Sequence, residues 1–320
     1  MGMDRSFTTT QSPIGSGFGA RTTAAEVLAG LDLKGSTAVV TGGYSGLGLE
    51  ITRALVGAGA RVLVPARRVD VAADAVAGID GPGSVEVAAM DLSDQDSVAA
   101  YADALLAAGT PLDMLIANAG VMACPETRVG PGWEAQFATN HLGHFALVAR
   151  LWPLLVDGGA RVIMVSSDAH HGSGIRWEDL HFTSDYDPWD AYGQSKTANV
   201  LMAVHLDALG RDHGVRAFAL HPGAILTPLQ RHLPRQEMVD RGWIDDQGRG
   251  INPHFKSVEA GAATATWAAT SPQLAGLGGV YLADCDVVAA DQVEDWATDP
   301  DEAARLWSYS AAATGVDLPG

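Results

Sequence analysis

An apolar, β-branched run, Thr37-Ala38-Val39-Val40-Thr41, breaks into Gly42-Gly43-Tyr44-Ser45-Gly46-Leu47-Gly48, and a helical stretch follows from Leu49 to Ala58. This feature restricts the fold more than any other. Glycine turns a backbone sharply and lets it approach a bound group closely, and the helix that follows offers free N–H groups to an anion. Strand, glycine turn and helix form the opening of a dinucleotide-binding unit. The spacing is T-G-x-x-x-G-x-G, not G-x-G-x-x-G. A ligand-free tight turn is the alternative for a glycine cluster taken alone.

The rest of the chain alternates short β-branched runs with Ala-rich helical stretches. Expected strands are 36–41, 60–65, 85–90, 112–117, 160–166, 215–220 and 278–282, with helices between them. Such alternation implies α/β architecture: one doubly wound parallel sheet of about seven strands, covered on both faces. Right-handed crossovers and a switch between the first and fourth strands put a ligand at the strands' carboxyl ends. No linker or repeat divides the chain. The expectation is an arm over 1–32 and a single domain over 33–320.

Composition narrows the partners. A formal net charge of −18 argues against nucleic acid and anionic membranes, which demand a basic surface. Residues Met1 to Arg21 are rich in Ser, Thr and Gly and lack the apolar core of a signal peptide, and no run is long enough to span a bilayer. Two cysteines, Cys124 and Cys285, make no disulfide framework, so a cytoplasmic setting is expected. The ten histidines show no zinc-type spacing, and no metal is expected.

Tyr192-Gly193-Gln194-Ser195-Lys196 sets a phenol and an ammonium four residues apart, on one helical face. A nearby ammonium favours the phenolate and would bring the tyrosine towards working pH, ready for proton transfer. Two unrelated surface residues are the plain alternative for this pair by itself.

With both motifs in view, the chain resembles the short-chain dehydrogenase/reductase family over roughly residues 33 to 285. Further landmarks follow in order: Asp91-Leu92 after an apolar stretch, Asn118-Ala119-Gly120 after Met114 to Ala117, Asn140 within N-H-L-G-H-F, Ser166-Ser167 after Arg161 to Val165, and Pro222-Gly223 with Thr227. The resemblance implies a Rossmann-type fold and hydride transfer between a nicotinamide cofactor and a carbonyl or alcohol. It implies catalytic roles for Asn140, Ser167, Tyr192 and Lys196. Tyr192 would move the proton, Lys196 would hold the nicotinamide ribose, Ser167 would bond the substrate oxygen, and Asn140 would anchor a water. Ser166 is the rival for the serine role. It also implies that Gly42, Tyr44, Ser45, Gly46, Leu47, Gly48, Asp91, Leu92, Asn118, Ala119, Gly120, Pro222, Gly223 and Thr227 meet the cofactor, together with Tyr192 and Lys196. The insert from His170 to Trp189 and the N-H-L-G-H-F helix resemble the retinol-dehydrogenase-like branch and its bacterial relatives.

Cofactor choice is read from the end of the second strand, Arg61 to Ala66. An NAD-selective enzyme usually ends this strand with an acid that bonds the ribose 2′-hydroxyl. Here Ala66 is followed by Arg67 and Arg68, and a guanidinium can grip a 2′-phosphate. NADP is expected, with NAD the lesser choice.

Three expectations concern what surrounds the site. The segment 228–256, with Leu229, Leu233, Met238, Trp243 and Phe255, would form a lid favouring an apolar substrate. Helices at about 131–152 and 188–210 carry more apolar positions than one buried stripe requires, which suggests a homodimer or tetramer unless the arm or the lid covers them. Asp168, His170 and His171 beside Ser167 invite a hydrolase reading, but no nucleophile elbow is present. An epimerase using bound nucleotide transiently, and a nucleotide-binding regulator without turnover, are the competing functions.

Overall fold

The computed structural model describes residues 10–319. In chain order the elements are α1 (Ala24–Val27), β1 (Thr37–Val40), α2 (Gly46–Gly57), β2 (Arg61–Ala66), α3 (Val69–Val76), β3 (Ser84–Ala89), α4 (Gln95–Ala108) and β4 (Met114–Ala117). A small hairpin, β5 (Arg128–Val129) and β6 (Trp133–Glu134), leads to α5 (Ala135–Phe137), a π-turn (Ala138–Leu142), α6 (Gly143–Gly158), β7 (Arg161–Val165) and α7 (Pro188–Gly210). The chain ends with β8 (Arg216–His221), α8 (Arg235–Asp240), α9 (Val258–Thr270), β9 (Val280–Ala283), β10 (Asp286–Val287), α10 (Asp295–Thr298) and α11 (Pro300–Thr314).

The main sheet has the order β10-β9-β8-β7-β4-β1-β2-β3. All its pairings are parallel except β9–β10. Every residue of β1 and β4 is buried, because helices cover both faces of these central strands. Alternation then sorts their side chains: Ala38, Val40, Val62 and Val64 join Ile51 and Leu55 of α2 and Trp267 of α9. Val39 and Leu63 point the other way, towards Phe145 and Leu151 of α6 and Leu206 of α7. Each valine, leucine, isoleucine or phenylalanine among them contributes about 1.5–3 kcal/mol on leaving water.

The structure departs from the sequence expectations in four places. There is an eighth strand in the main sheet: Asp284 and Cys285 both adopt positive φ, and this two-residue turn folds β10 back onto β9. A turn of that kind is usually announced by Asn or Gly, so the hairpin was not legible. The helix expected at 131–152 is instead a hairpin, a short helix and a π-turn, and α6 then runs to Gly158 through Pro153. The helix α2 begins at Gly46, three residues before the apolar run suggested.

The fourth departure concerns what covers two apolar helices. Phe137, Leu142, Phe145, Leu147, Val148, Val200, Leu201, Val204 and Leu206, the surplus that suggested a dimer, are all buried within one chain. The cover is α11 with the insert before α7. Trp307 meets Phe145 edge-on at 4.7 Å, and His141 Nε2 shares a hydrogen bond with Ser310 Oγ at 2.8 Å. Trp177 of the insert donates to Glu302 at 2.6 Å, and Arg305 lies 3.9 Å above its ring. Neither the arm nor the lid is the cover.

Of the arm expected over 1–32, the first nine residues lie outside the described ones. Residues 11–16 follow the far edge of the sheet, whereas α1 packs Ala24 and Val27 into the core with α2 and α9. Gln11 brackets the Tyr281 backbone, donating to its carbonyl at 2.7 Å and accepting from its N–H at 2.9 Å. Asp286 accepts from the N–H groups of Ile14 and Gly15. An exposed edge strand invites pairing with another chain, and this strip occupies the edge.

Candidate active site

The carboxyl ends of β1, β2, β4, β7 and β8 open into one cleft of about 770 Å³. It is lined by every expected site residue except Asn140, which lies just beneath its floor. At one end, the turn after β1 delivers α2 with its first N–H groups free of intrahelical partners. The Ser45 side chain does not cap them. Gly48 is required by contact: a Cβ there would lie 2.3 Å from the Gly42 carbonyl oxygen and 2.6 Å from Asn118 Nδ2. The Asn118 amide donates to the Thr41 carbonyl at 2.9 Å, locking the β1 and β4 exits together. Arg67 and Arg68 stand exposed at the rim, and Asp91, Leu92 and Ala119 line the wall between.

At the other end α7 presents Tyr192 and Lys196 on one face, both buried. The Lys196 Nζ lies 5.4 Å from the centre of the Tyr192 ring and donates to the Val165 carbonyl at 3.1 Å. Burial pulls the Lys196 ammonium down to about 8. Burial pushes Tyr192 up to about 12, against a smaller lowering by its hydrogen bond with Ser167. The sequence expectation was the reverse: the ammonium was to lower the phenol. At this separation desolvation of the phenolate outweighs it, and Tyr192 stands protonated at neutral pH.

The two serines at the end of β7 both line the cleft, but their hydroxyls have different partners. Ser166 is buried and donates to the Lys196 backbone carbonyl at 2.8 Å, fastening β7 to α7. Ser167 lines the cleft beside Tyr192 and accepts from Ala169 N–H at 3.2 Å. Asn140, on the π-turn, spends its side chain on the chain leaving β4. It accepts from Val121 N–H at 2.8 Å and donates to Val121 O and to Ser195 Oγ, both at 2.9 Å. A Cβ on Gly120 would lie 3.0 Å from Asn140 Oδ1 and 3.7 Å from Lys196 Nζ, so a bare glycine lets these two groups approach one space.

The roof comes from the loop after β8 and from 228–256. Pro222 and Gly223 line the cleft. Thr227 caps the first lid turn and packs over Gly46. Trp189, Leu229, Trp243 and Phe255 give the far end an aromatic and aliphatic lining, with Arg231 and Arg241 at the edge. Two groups escaped the sequence reading. His221 lines the cleft with its Nδ1 accepting from Asp168 N–H at 3.1 Å, and burial lowers it to about 4. Glu237 pairs with Arg241 at helical spacing. Their signals were position only: one residue before Pro222-Gly223, and an i,i+4 acid–base pair.

A family model described as short chain dehydrogenase matches residues 36–238. The chain belongs to the short-chain dehydrogenase/reductase family. It is an NAD(P)-dependent oxidoreductase of that family. A Streptomyces lividans protein described as a "probable oxidoreductase" is 47% identical over 88% of this chain and 98% of its own length. Retinol dehydrogenase 12 of Mus musculus is 36% identical over 89% and 88%. Among solved structures, a Pseudomonas aeruginosa RhlG/NADP active-site complex has a TM-score of 0.60 at 28% identity, covering 78% of this chain and 95% of that one. The family resemblance thus spans the cleft as well as the sheet, and it reaches the retinol-dehydrogenase-like branch.

Proposed function

We propose that this short-chain dehydrogenase/reductase interconverts an apolar ketone or aldehyde and its alcohol with NADP, with Tyr192 as general acid and base. The observation that carries the reading is the meeting of Ser167, Tyr192 and Lys196 on one wall, opposite the glycine turn and open α2 N-terminus. The cleft fits a dinucleotide phosphate by its donors. The first N–H groups of α2 suit a pyrophosphate. Asp91 and Leu92 would meet the adenine, Lys196 the nicotinamide ribose, and Pro222, Gly223 and Thr227 the nicotinamide. Arg67, where an NAD-selective strand would carry an acid, would meet the 2′-phosphate. The Pseudomonas relative's complex with NADP accords with that choice. When bound, the nicotinamide supplies or accepts the hydride.

The chain's own groups do the rest. Ser167 donates to the substrate oxygen and stabilises the charge that grows there. Tyr192, held protonated by burial, gives its proton to that oxygen in reduction and recovers it in oxidation. The Lys196 ammonium stabilises the transient tyrosinate. Asn140 fixes the Gly120–Val121 backbone and α7, so that Lys196 is delivered to the same place. The aromatic lining beyond Tyr192 favours an apolar body over a small polar one. A panel of ketones, aldehydes and alcohols tests the reading by absorbance of the reduced nicotinamide with each cofactor. Turnover of apolar carbonyls with NADPH is expected. Tight NADPH binding without oxidation of the cofactor by any member would overturn it in favour of a regulator.

A further inference from the structure

Trp189 lines both the main cleft and a second cavity of about 260 Å³ behind it. That second space lies between the chain leaving β4, at Ala123, Cys124 and Pro125, and the lid, at Leu233 and Pro234. We propose that Trp189 is a movable partition between the two and sets the longest apolar substrate that the protein accepts. The proposal rests on the reading that the cleft beyond Tyr192 holds the substrate.

The indole stands where a substrate would meet it. Trp189 precedes Tyr192 by one turn of α7, and the two rings meet edge-on at 6.3 Å. Its backbone is fixed, because Asp187 caps the helix through the N–H of Trp189 at 2.8 Å. Its side chain is held chiefly by the lid. The indole Nε1–H donates to Glu237 Oε1 at 3.0 Å, and the Arg241 guanidinium sits 4.4 Å over the ring. Arg241 Nε donates to the same Glu237 oxygen at 2.9 Å, and Trp243 leans on the indole at 6.2 Å. A lid displacement therefore releases the partition, whereas Tyr192 and Met122 are fixed in the buried interior.

The space behind suits an alkyl tail. Ala123, at φ 45°, packs with Leu233 of the lid in one apolar cluster, and both line the space. Burial raises the Cys124 thiol, so it stays neutral beside Pro125, Leu233 and Pro234. The carboxylate at the boundary, Glu237, is occupied by Trp189 and Arg241. The volume is worth about nine waters at ~30 Å³ each, room for several carbons.

The test uses the NADP-loaded protein and straight-chain primary amides of increasing length, which carry a carbonyl but accept no hydride. Calorimetry on the wild type should show affinity rising about fourfold per methylene and then levelling off. Trp189→Ala should move that plateau at least three carbons outward and bind the longest amide at least tenfold tighter. Trp189→Leu should show a smaller shift of the same sign, and it decides the matter if the alanine variant no longer binds NADPH. One plateau shared by all three proteins overturns the proposal, as does the absence of any length dependence. Loss of NADPH binding in both variants also overturns it, since Trp189 would then be a structural support. The matching aldehydes, followed by the absorbance of the reduced nicotinamide, separate the two readings. A shifted amide plateau with no aldehyde reduced leaves the partition standing and removes the carbonyl reductase. Aldehyde turnover with an unshifted length profile does the opposite.

Discussion

The two halves of the cleft are built by different means. The cofactor half is made of short contiguous motifs, each at the carboxyl end of one strand: the glycine turn after β1, Arg67 after β2, Asp91 after β3, and Asn118-Ala119-Gly120 after β4. The substrate half is assembled from segments far apart in the chain. Trp189 on α7 meets Glu237, Arg241 and Trp243 of the lid, and α11 closes the back of the insert. A motif that carries its own turn and helix announces itself in sequence. A wall made by meeting does not.

The sharpest way to break this contrast lies at the seam, where α7 serves both halves. Tyr192→Phe should lower turnover by three or more orders of magnitude, about 4 kcal/mol, while NADPH affinity stays nearly unchanged, because only the proton-bearing oxygen is lost. Lys196→Ala should lower both turnover and cofactor affinity. Ser167→Ala should reduce turnover far more than Ser166→Ala, whose hydroxyl only fastens strand to helix. Steady-state kinetics with fluorescence titration of NADPH checks all four. Near-wild-type turnover of Tyr192→Phe would remove the tyrosine from its role.

The second prediction concerns the cover over the apolar positions that suggested a dimer. Trp307 is nearly buried and packs on Phe145 and His205. Trp307→Ala should cost about 3–5 kcal/mol of stability, the range for a large core truncation. Light scattering of the wild type should give a single-chain mass of 33.2 kDa, because its apolar helix faces are already covered. A dimer mass would show that another surface drives assembly. Removing residues 299–320 should produce association through the uncovered α6 and α7.

The third test asks whether the π-turn beneath the seam is as dry as it looks. Burial lowers His141 to about 3 and His144 to about 4, and both are neutral in the folded protein. His144 donates from Nδ1 to the Asn140 carbonyl at 2.9 Å and takes the Thr41 hydroxyl on Nε2 at 2.8 Å, a pattern that only the neutral ring allows. Between pH 6.5 and 4 the unfolded chain binds more protons than the folded one, so stability falls as pH falls through that window. The loss should reach roughly 2–5 kcal/mol by pH 4, read as a drop in the thermal midpoint. A midpoint that is flat from pH 7 to 4.5 would mean that these rings are hydrated or charged.

The strand pattern and the gathering of the candidate site residues at the strand ends were legible because each rests on local chemistry: β-branched runs, glycine spacing, and a helical i,i+4 pair. What escaped rests on contact. Asp284-Cys285 is only a weak turn signal, since aspartate tolerates positive φ but no glycine or asparagine follows it. The surplus apolar positions on α6 and α7 were visible, but the sequence did not say that Trp307 and Tyr309, more than a hundred residues away, would cover them. The Tyr192–Lys196 spacing was readable, yet the direction in which the tyrosine shifts depends on burial, a property of the whole fold.

The smallest expected effect tests the cofactor half alone. Arg67 is exposed at the rim of the cleft, where β2 ends in Ala66 without a carboxylate. A 2′-phosphate gripped there by a guanidinium should bind more tightly than a 2′-hydroxyl, by the increment of a charge-assisted hydrogen bond in partly screening solvent. NADPH should therefore outbind NADH, and Arg67→Ala should narrow the gap by about 1–3 kcal/mol. Raising the salt concentration should narrow it in the same direction, and Arg68→Ala should do so only if the two guanidinia share the phosphate. Fluorescence titration with both nucleotides reads every arm. Equal affinities in the wild type, unchanged by Arg67→Ala, would show that the end of β2 does not select the cofactor. The legible half of the cleft would then have misled at an exposed residue, where no packing holds the side chain to a task.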